Sequence, residues 1–205
     1  MDKFIYLNPY SIPNELCADI IQYFEEEEKN WYKGVTAGGV DTNIKDTFDF
    51  QIRTNDPKSK WFKVQNFLSQ ELNRNVNKYM KSLNDNPKYN EYRKDDQKKF
   101  KLIGANYLTE ATFQMQKYLK NQGKYIYHND FSIDYPDKKY RVITYLWYIN
   151  TVEEGGETEV LGETAIKPEA GKLLLFPACW TFPHTGKIPI SDDKYIITGW
   201  FYVHQ

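Results

Sequence analysis

Cysteine is scarce in this sequence: Cys17 and Cys179 are the only two, and they stand far apart. Such a pair builds no disulfide framework, and no CxxC or Cys/His spacing of a zinc site exists, which fits a reducing compartment. Long apolar runs are missing as well. Nothing approaches the ~18 residues that a membrane helix needs, and the N-terminal MDKFIYLNPYSIP has no continuous apolar segment of the signal-peptide kind. The expectation is a soluble, cytoplasmic protein without a membrane partner. Charge of one sign is also absent. With 27 basic and 28 acidic side chains and a net charge of −1, no global field argues for nucleic acid. What the chain has in quantity is aromatic residues, 17% of 205. Aromatics on that scale exclude disorder, because they need a core to pack against. A chain of this length hides roughly 70% of its extended surface on folding, enough for one domain without staples.

The N-terminal half reads as helical. From Pro13 to about Glu28 the residues Leu16, Ile20, Tyr23 and Phe24 recur at helical spacing behind a Ser11/Pro13 start signal. A longer helix is predicted from Pro57 to about Leu83, with the stripe Trp61, Val64, Phe67/Leu68, Leu72, Val76 and Tyr79/Met80. Between them TFDFQIR (47–53) alternates like a strand, and the charged segment 84–101 reads as a connecting loop. Its acids nearly balance its bases, so it is no basic nucleic-acid patch.

From residue 112 the pattern changes. TFQMQKYL, KYIYHNDFSI, YRVITYLWYIN, ETEVL, ETAIK, KLLLF, HTGKI and KYIITGWFYV follow one another, split by turn signals such as NQG, YPDKK, EEGG and PEAG. Short β-rich runs at this spacing predict an antiparallel sandwich or barrel, not βαβ units. The expected fold class is α+β and mainly β: a single domain with a jelly roll (double-stranded β-helix) over 102–205, supported by the helices and loop of 1–101 covering one sheet.

Two of the three histidines stand in chemically suggestive places. In His128-Asn129-Asp130 the spacing i, i+2 on a strand puts imidazole and carboxylate on one face. His184 follows on a later strand, expected near the other end of the barrel. Two imidazoles and one carboxylate on one side of a metal leave open positions, the facial arrangement of non-haem Fe(II) oxygenases. Read alone, the pair suits a structural hydrogen-bonded contact as well. Ten residues after His184, past the turn IPISDD, the run KYIITGW places Lys194, Ile196, Thr198 and Trp200 on one face, with Lys194 expected to double back beside His184. A cation inside a barrel requires an anionic partner. His204 reads as a surface residue, Cys179 as a buried small residue, and Trp147 and Trp180 as core or pocket wall.

These blocks resemble the Fe(II)- and 2-oxoglutarate-dependent dioxygenases, in particular the prolyl 4-hydroxylase branch. The likeness runs through Tyr118-x6-Tyr125-x2-His128-x-Asp130, Arg141-x2-Thr144-x3-Tyr148-x-Asn150, Gly155-Gly156-Glu157-Thr158 and His184-x9-Lys194-x3-Thr198-x-Trp200. The resemblance implies that His128, Asp130 and His184 ligate Fe(II), and that Lys194, with Thr198, Tyr148 and Tyr118, binds 2-oxoglutarate. It assigns Tyr125 and Trp200 to the substrate side and Arg141 to the catalytic site. Arg141 and Tyr148 fall on opposite faces of a regular strand, so sharing a site requires a bulge. The implied reaction consumes O2 and 2-oxoglutarate, gives succinate and CO2, and hydroxylates a C–H bond, most simply of a prolyl residue in a protein or peptide. The resemblance also admits ascorbate as an accessory reductant. Alternatives are a hydroxylase of a free amino acid or other small molecule, and a non-catalytic jelly-roll binding or structural module. Where the GGETEV block carries Val160, relatives often carry an aromatic.

Overall fold

A computed structural model describes residues 3–102, 108–110 and 113–204. Thr112, which opens the first predicted β run, lies outside the described residues. In chain order the elements are β1 (Tyr6–Asn8), α1 (Asn14–Glu26), β2 (Tyr32–Lys33), β3 (Lys45–Asp46), β4 (Phe48–Ile52), α2 (Lys60–Asn84), β5 (Thr109–Glu110), β6 (Phe113–Tyr118), β7 (Lys124–His128), β8 (Ile133–Asp134), β9 (Lys139–Tyr148), β10 (Thr158–Val160), β11 (Thr164–Ile166), β12 (Leu173–Pro177), β13 (His184–Gly186) and β14 (Lys194–His204). Among the described residues no helix is long and apolar enough to cross a membrane.

The strands form two antiparallel sheets. The larger runs β1-β12-β9-β14-β6-β4-β2, with β5 added to β14 and β8 to β9; the smaller runs β11-β10-β13-β7-β3. Together they make the jelly-roll type of mainly-β fold. The eight β runs read from the sequence all form, but the N-terminal half is more than helical support. It places β1 at one edge of the larger sheet, β4 and β2 at the other, and β3 in the smaller sheet. These strands have only two to five residues. The alternation of 47–53 predicts β4, whereas β1, β2 and β3, at two or three residues each, are too short to show a period.

Both helices cover the outer face of the larger sheet. Trp61, Val64, Leu68, Leu72, Val76, Tyr79 and Met80 of α2 and Cys17, Ile20 and Phe24 of α1 pack with Met115, Tyr145, Trp147, Leu173, Leu175 and Ile197. The 84–101 connection adds one 3-10 turn, Pro87–Asn90. Ser59 caps α2, its side chain accepting from the Trp61 N–H, so this helix starts later than Pro57. Ser11 does not cap α1: Pro13 holds the N-cap position without a side-chain bond. The Ser11 hydroxyl instead donates to Glu71 at 2.9 Å and accepts from Trp147 Nε1 at 2.9 Å, pinning helix to sheet through a buried polar pair. Trp147 is fully buried, and Trp147→Ala is expected to cost about 3–5 kcal/mol of stability, measured by urea unfolding. Trp180, in contrast to its expected place in a core or pocket wall, is 71% exposed.

Candidate active site

His128 ends β7 and His184 opens β13, and the two residues face each other directly in the ladder between these strands. His184 therefore lies beside His128, not at the far end of the barrel. Asp130 stands two residues beyond the end of β7, where the chain leaves the sheet, and its carboxylate reaches back to both rings. His184 Nε2 is 3.4 Å from Asp130 Oδ2, and His128 Nε2 is 3.7 Å from Oδ1. One ligand atom from each residue lies within 4.8 Å of the others, the only such group of three among the described residues.

The tautomers follow from the backbone. His128 Nδ1 is 2.8 Å from the Ile126 carbonyl and His184 Nδ1 is 3.2 Å from the Phe182 carbonyl. A carbonyl only accepts, so each Nδ1 carries a hydrogen and each Nε2 is the nitrogen turned towards Asp130. Tyr125 stacks on His128 at 3.4 Å between centroids, and Phe176 meets His184 edge-on at 4.7 Å. Burial and the neighbouring His184 push the His128 pKa down to about 4, so its imidazole is neutral at neutral pH. Burial pushes Asp130 up, but His184, His128 and the hydroxyl and indole of Thr144 and Trp200 outweigh it and keep the carboxyl below its ordinary value. Thr144 donates to Asp130 Oδ2 at 2.7 Å, whereas the buried Trp200 Nε1 makes no hydrogen bond of normal geometry. Two imidazoles and an ionised carboxylate on one side of a point suit Fe(II) and leave coordination positions open.

A cavity of about 410 Å³ opens from this triad and is lined by Tyr118, Tyr125, Arg141, Lys194, Thr198 and Trp200 as well. Lys194, Ile196, Thr198 and Trp200 all face it, as their alternation predicts. β14, however, lies in the larger sheet, so Lys194 does not run beside His184 but faces the cavity from the opposite wall, paired with Tyr118 of β6. Lys194 is 1% exposed and has no ion pair among the described residues. Its Nζ donates to the Gly156 carbonyl at 2.9 Å and lies 4.0 Å from the Tyr118 ring centroid. Burial drives its pKa down to about 7, only partly offset by Glu157. A buried ammonium whose acceptor is a neutral carbonyl is suited to an anionic partner. Gly186 keeps the space beside it open: a Cβ there would lie 3.2 Å from the Tyr118 ring and 3.6 Å from Lys194 Nζ.

The bulge that a shared site requires is present. Phe201 pairs with Ile143 and Tyr202 with Arg141, which leaves Val142 as an extra residue on β9. Arg141 thereby joins Thr144 on the cavity side, its guanidinium 3.6 Å from the Trp200 ring centroid. Tyr148 is fully buried but does not line the cavity; it packs behind the wall with Tyr118, Leu146 and Ile196. Cys179 is half-buried and contacts Thr181 Oγ1 at 3.1 Å, and His204 is exposed beside Thr109. Lys45, Gln114 and Gln116 also line the cavity and were not singled out in the sequence, and so does Thr144, which the family block names without a role. The glutamines carried a signal, since Gln114, Gln116 and Tyr118 alternate onto one face of β6.

Residues 113–202 match the family model described as the 2OG-Fe(II) oxygenase superfamily. Over that stretch the chain is similar to a 2OG-Fe(II) oxygenase domain. Fe(II), 2-oxoglutarate and O2 are the cofactor and cosubstrates of that family, and the triad and the Lys194 pocket fit them. Among curated proteins none matches this chain. Among solved structures it is similar to the viral collagen prolyl hydroxylase of Paramecium Bursaria Chlorella virus-1 in its 2OG complex, at TM-score 0.64 and 16% identity over 98% of this chain and 96% of that one. A Pseudomonas putida prolyl-4-hydroxylase aligns at TM-score 0.61 and 14% identity, over 97% and 92%. A Trichoplax adhaerens prolyl hydroxylase in complex with a hypoxia inducible factor oxygen degradation domain peptide fragment aligns at TM-score 0.68 and 20% identity, over 98% and 84%. At these identities the likeness is one of fold.

Proposed function

We propose that this oxygenase hydroxylates a C–H bond of a prolyl residue in a protein or peptide, with 2-oxoglutarate leaving as succinate and CO2. In this reading His128, Asp130 and His184 hold Fe(II), which when bound with 2-oxoglutarate and O2 supplies the oxidising power for hydroxylation. Lys194 binds the distal carboxylate of 2-oxoglutarate, flanked by Tyr118 and Thr198, whose hydroxyl hydrogens are held by Gln116 and the Tyr145 carbonyl. Thr198 Oγ1 donates to the Tyr145 carbonyl at 2.9 Å, which ties this wall residue to the sheet. Tyr148 backs this wall and is not among the residues that line the cavity.

The observation that carries the substrate class is Arg141. Its guanidinium is stacked on Trp200, half-exposed, and free of any ion pair among the described residues. An arginine held flat on an aromatic keeps its donors aimed outward, suited to the carbonyl oxygens of a peptide. The cavity rim supports a chain-like substrate over a small enclosed one, because lining residues Val35 and Phe131 are 53% and 47% exposed. A peptide is also the partner in the Trichoplax complex.

The test is incubation of the iron-loaded protein with proline-containing peptides, reading succinate and a mass gain of one oxygen on the peptide. Arg141→Ala is expected to raise the peptide KM by roughly 10–100-fold, the worth of hydrogen bonds from a charged donor, with 2-oxoglutarate affinity unchanged. An unchanged peptide KM, or hydroxylation of free proline in preference to peptides, would move the reading to a small-molecule hydroxylase.

A further inference from the structure

One buried ion pair in the cavity wall is left without a role by the chemistry above. Lys45 Nζ lies 2.7 Å from Asp49 Oδ2, with the two side chains 4% and 0% exposed. The pair bridges the two sheets, because Lys45 belongs to β3 of the smaller sheet and Asp49 to β4 of the larger. On the smaller sheet Lys45 pairs in register with Tyr125, the residue stacked on His128, and its Nζ is 5.6 Å from that ring. On the larger sheet Asp49 pairs in register with Gln116.

From Asp49 a hydrogen-bond chain runs towards Lys194. Gln114 Nε2 donates to Asp49 Oδ2 at 2.8 Å, Gln116 Nε2 reaches the same oxygen at 3.4 Å, and Thr47 Oγ1 donates to Oδ1 at 2.7 Å. Gln116 Oε1 in turn accepts from the Tyr118 hydroxyl at 3.2 Å. Because the Gln116 amide is held by Asp49 through its nitrogen, its oxygen is the end left for Tyr118, and the hydroxyl hydrogen is directed accordingly. Gly34 packs directly over the pair: a Cβ there would come within 2.3 Å of Thr47 Oγ1 and 2.7 Å of Lys45 Cε.

We propose that Lys45 and Asp49 are positioning residues that clamp the metal-holding sheet to the cosubstrate-anchoring sheet and, through Gln116, fix the Tyr118 hydroxyl beside Lys194. This rests on the reading of Lys194 and Tyr118 as the 2-oxoglutarate site. Neither residue touches the reacting atoms, so the clamp acts through spacing and through the direction of one hydroxyl.

The decisive variant is the double substitution Lys45→Met with Asp49→Asn. Removing one partner of a buried pair strands a charge, whereas removing both is often tolerated by the fold. The double variant is expected to melt close to wild type and to bind Fe(II) within about threefold of it. Its 2-oxoglutarate Kd, followed by anaerobic titration of the iron-loaded protein, is expected to rise at least tenfold. Should the double variant fail to fold, Gln116→Leu leaves the ion pair in place and cuts only the link to Tyr118. Gln116→Leu, Tyr118→Phe and their combination are then expected to weaken 2-oxoglutarate by the same factor, since all three remove one connection. A folded double variant with unchanged 2-oxoglutarate Kd overturns the clamp, as do additive effects in the Gln116/Tyr118 cycle. Failure of the underlying site would look different: Lys194→Met itself would leave 2-oxoglutarate binding intact.

Discussion

Asp130→Ala and His184→Ala are each expected to abolish 2-oxoglutarate turnover while leaving the barrel folded. Asp130 is the one anionic member of the triad and sits 3.4 and 3.7 Å from the two Nε2 atoms, so its loss leaves only two imidazoles on neighbouring strands. Loss of an outer-shell partner alone typically costs ~10–100-fold in metal affinity or activity, and loss of a ligand costs more. The fold is expected to survive for a specific electrostatic reason. With His128 held neutral by burial and His184, deleting the carboxylate strands no cation at His128. The Thr144 hydroxyl loses its acceptor, a penalty of about 1–3 kcal/mol at most. Circular dichroism melts of the metal-free proteins check the fold. Anaerobic addition of Fe(II) and 2-oxoglutarate checks the site, through the visible charge-transfer band of the chelate. Wild-type turnover in a folded Asp130→Ala or His184→Ala protein would mean that iron is held elsewhere.

The site was legible in the sequence where chemistry is confined to one strand. Lys194, Ile196, Thr198 and Trp200 face the cavity as their alternation requires, and so do Arg141 and Thr144 once the Val142 bulge is counted. The helical stripe of α2 is also buried as read, because a 25-residue amphipathic helix repeats its signal over many turns. What could not be read was which sheet each strand joins. His184 and Lys194 are ten positions apart and look like two arms of a hairpin, yet β13 pairs with β7 and β14 with β6 and β9. Sheet membership is decided by long-range pairing and by the core each face covers, which local periodicity does not encode.

The same limit explains the missed clamp. Lys45 precedes the predicted strand at 47–53, and its partner Asp49 lies between Phe48 and Phe50, where alternation alone assigns it to a solvated face. In the fold that face is the barrel interior, and Asp49 is fully buried among Lys45, Thr47 and Gln114. Tyr148 errs in the opposite direction: it matches the family block, yet the cavity does not reach it.

Lys194→Met is expected to separate cosubstrate binding from folding. In the absence of 2-oxoglutarate the buried ammonium of Lys194 is a cost, since burial has brought its pKa from 10.5 to about 7. Between these values the unfolded chain holds a proton that the folded chain has released, so this residue makes stability rise with pH across that window. Below about 7 both states are charged and the full penalty remains; above 10.5 both are neutral and it is gone. The apolar variant carries no such penalty at any pH. Melting of the ligand-free proteins is therefore expected to show Lys194→Met above wild type near pH 7, with the gap closing as the pH approaches 10.5. Iron and 2-oxoglutarate together should reverse the order, because the ammonium then has its carboxylate. Removing a buried charge pair of this kind costs about 3 kcal/mol, so the 2-oxoglutarate Kd should rise roughly 10²-fold. Fe(II) affinity should stay within about threefold of wild type, since the three ligands lie on the other wall. Equal loss of both affinities would show that Lys194 supports the fold and not the cosubstrate.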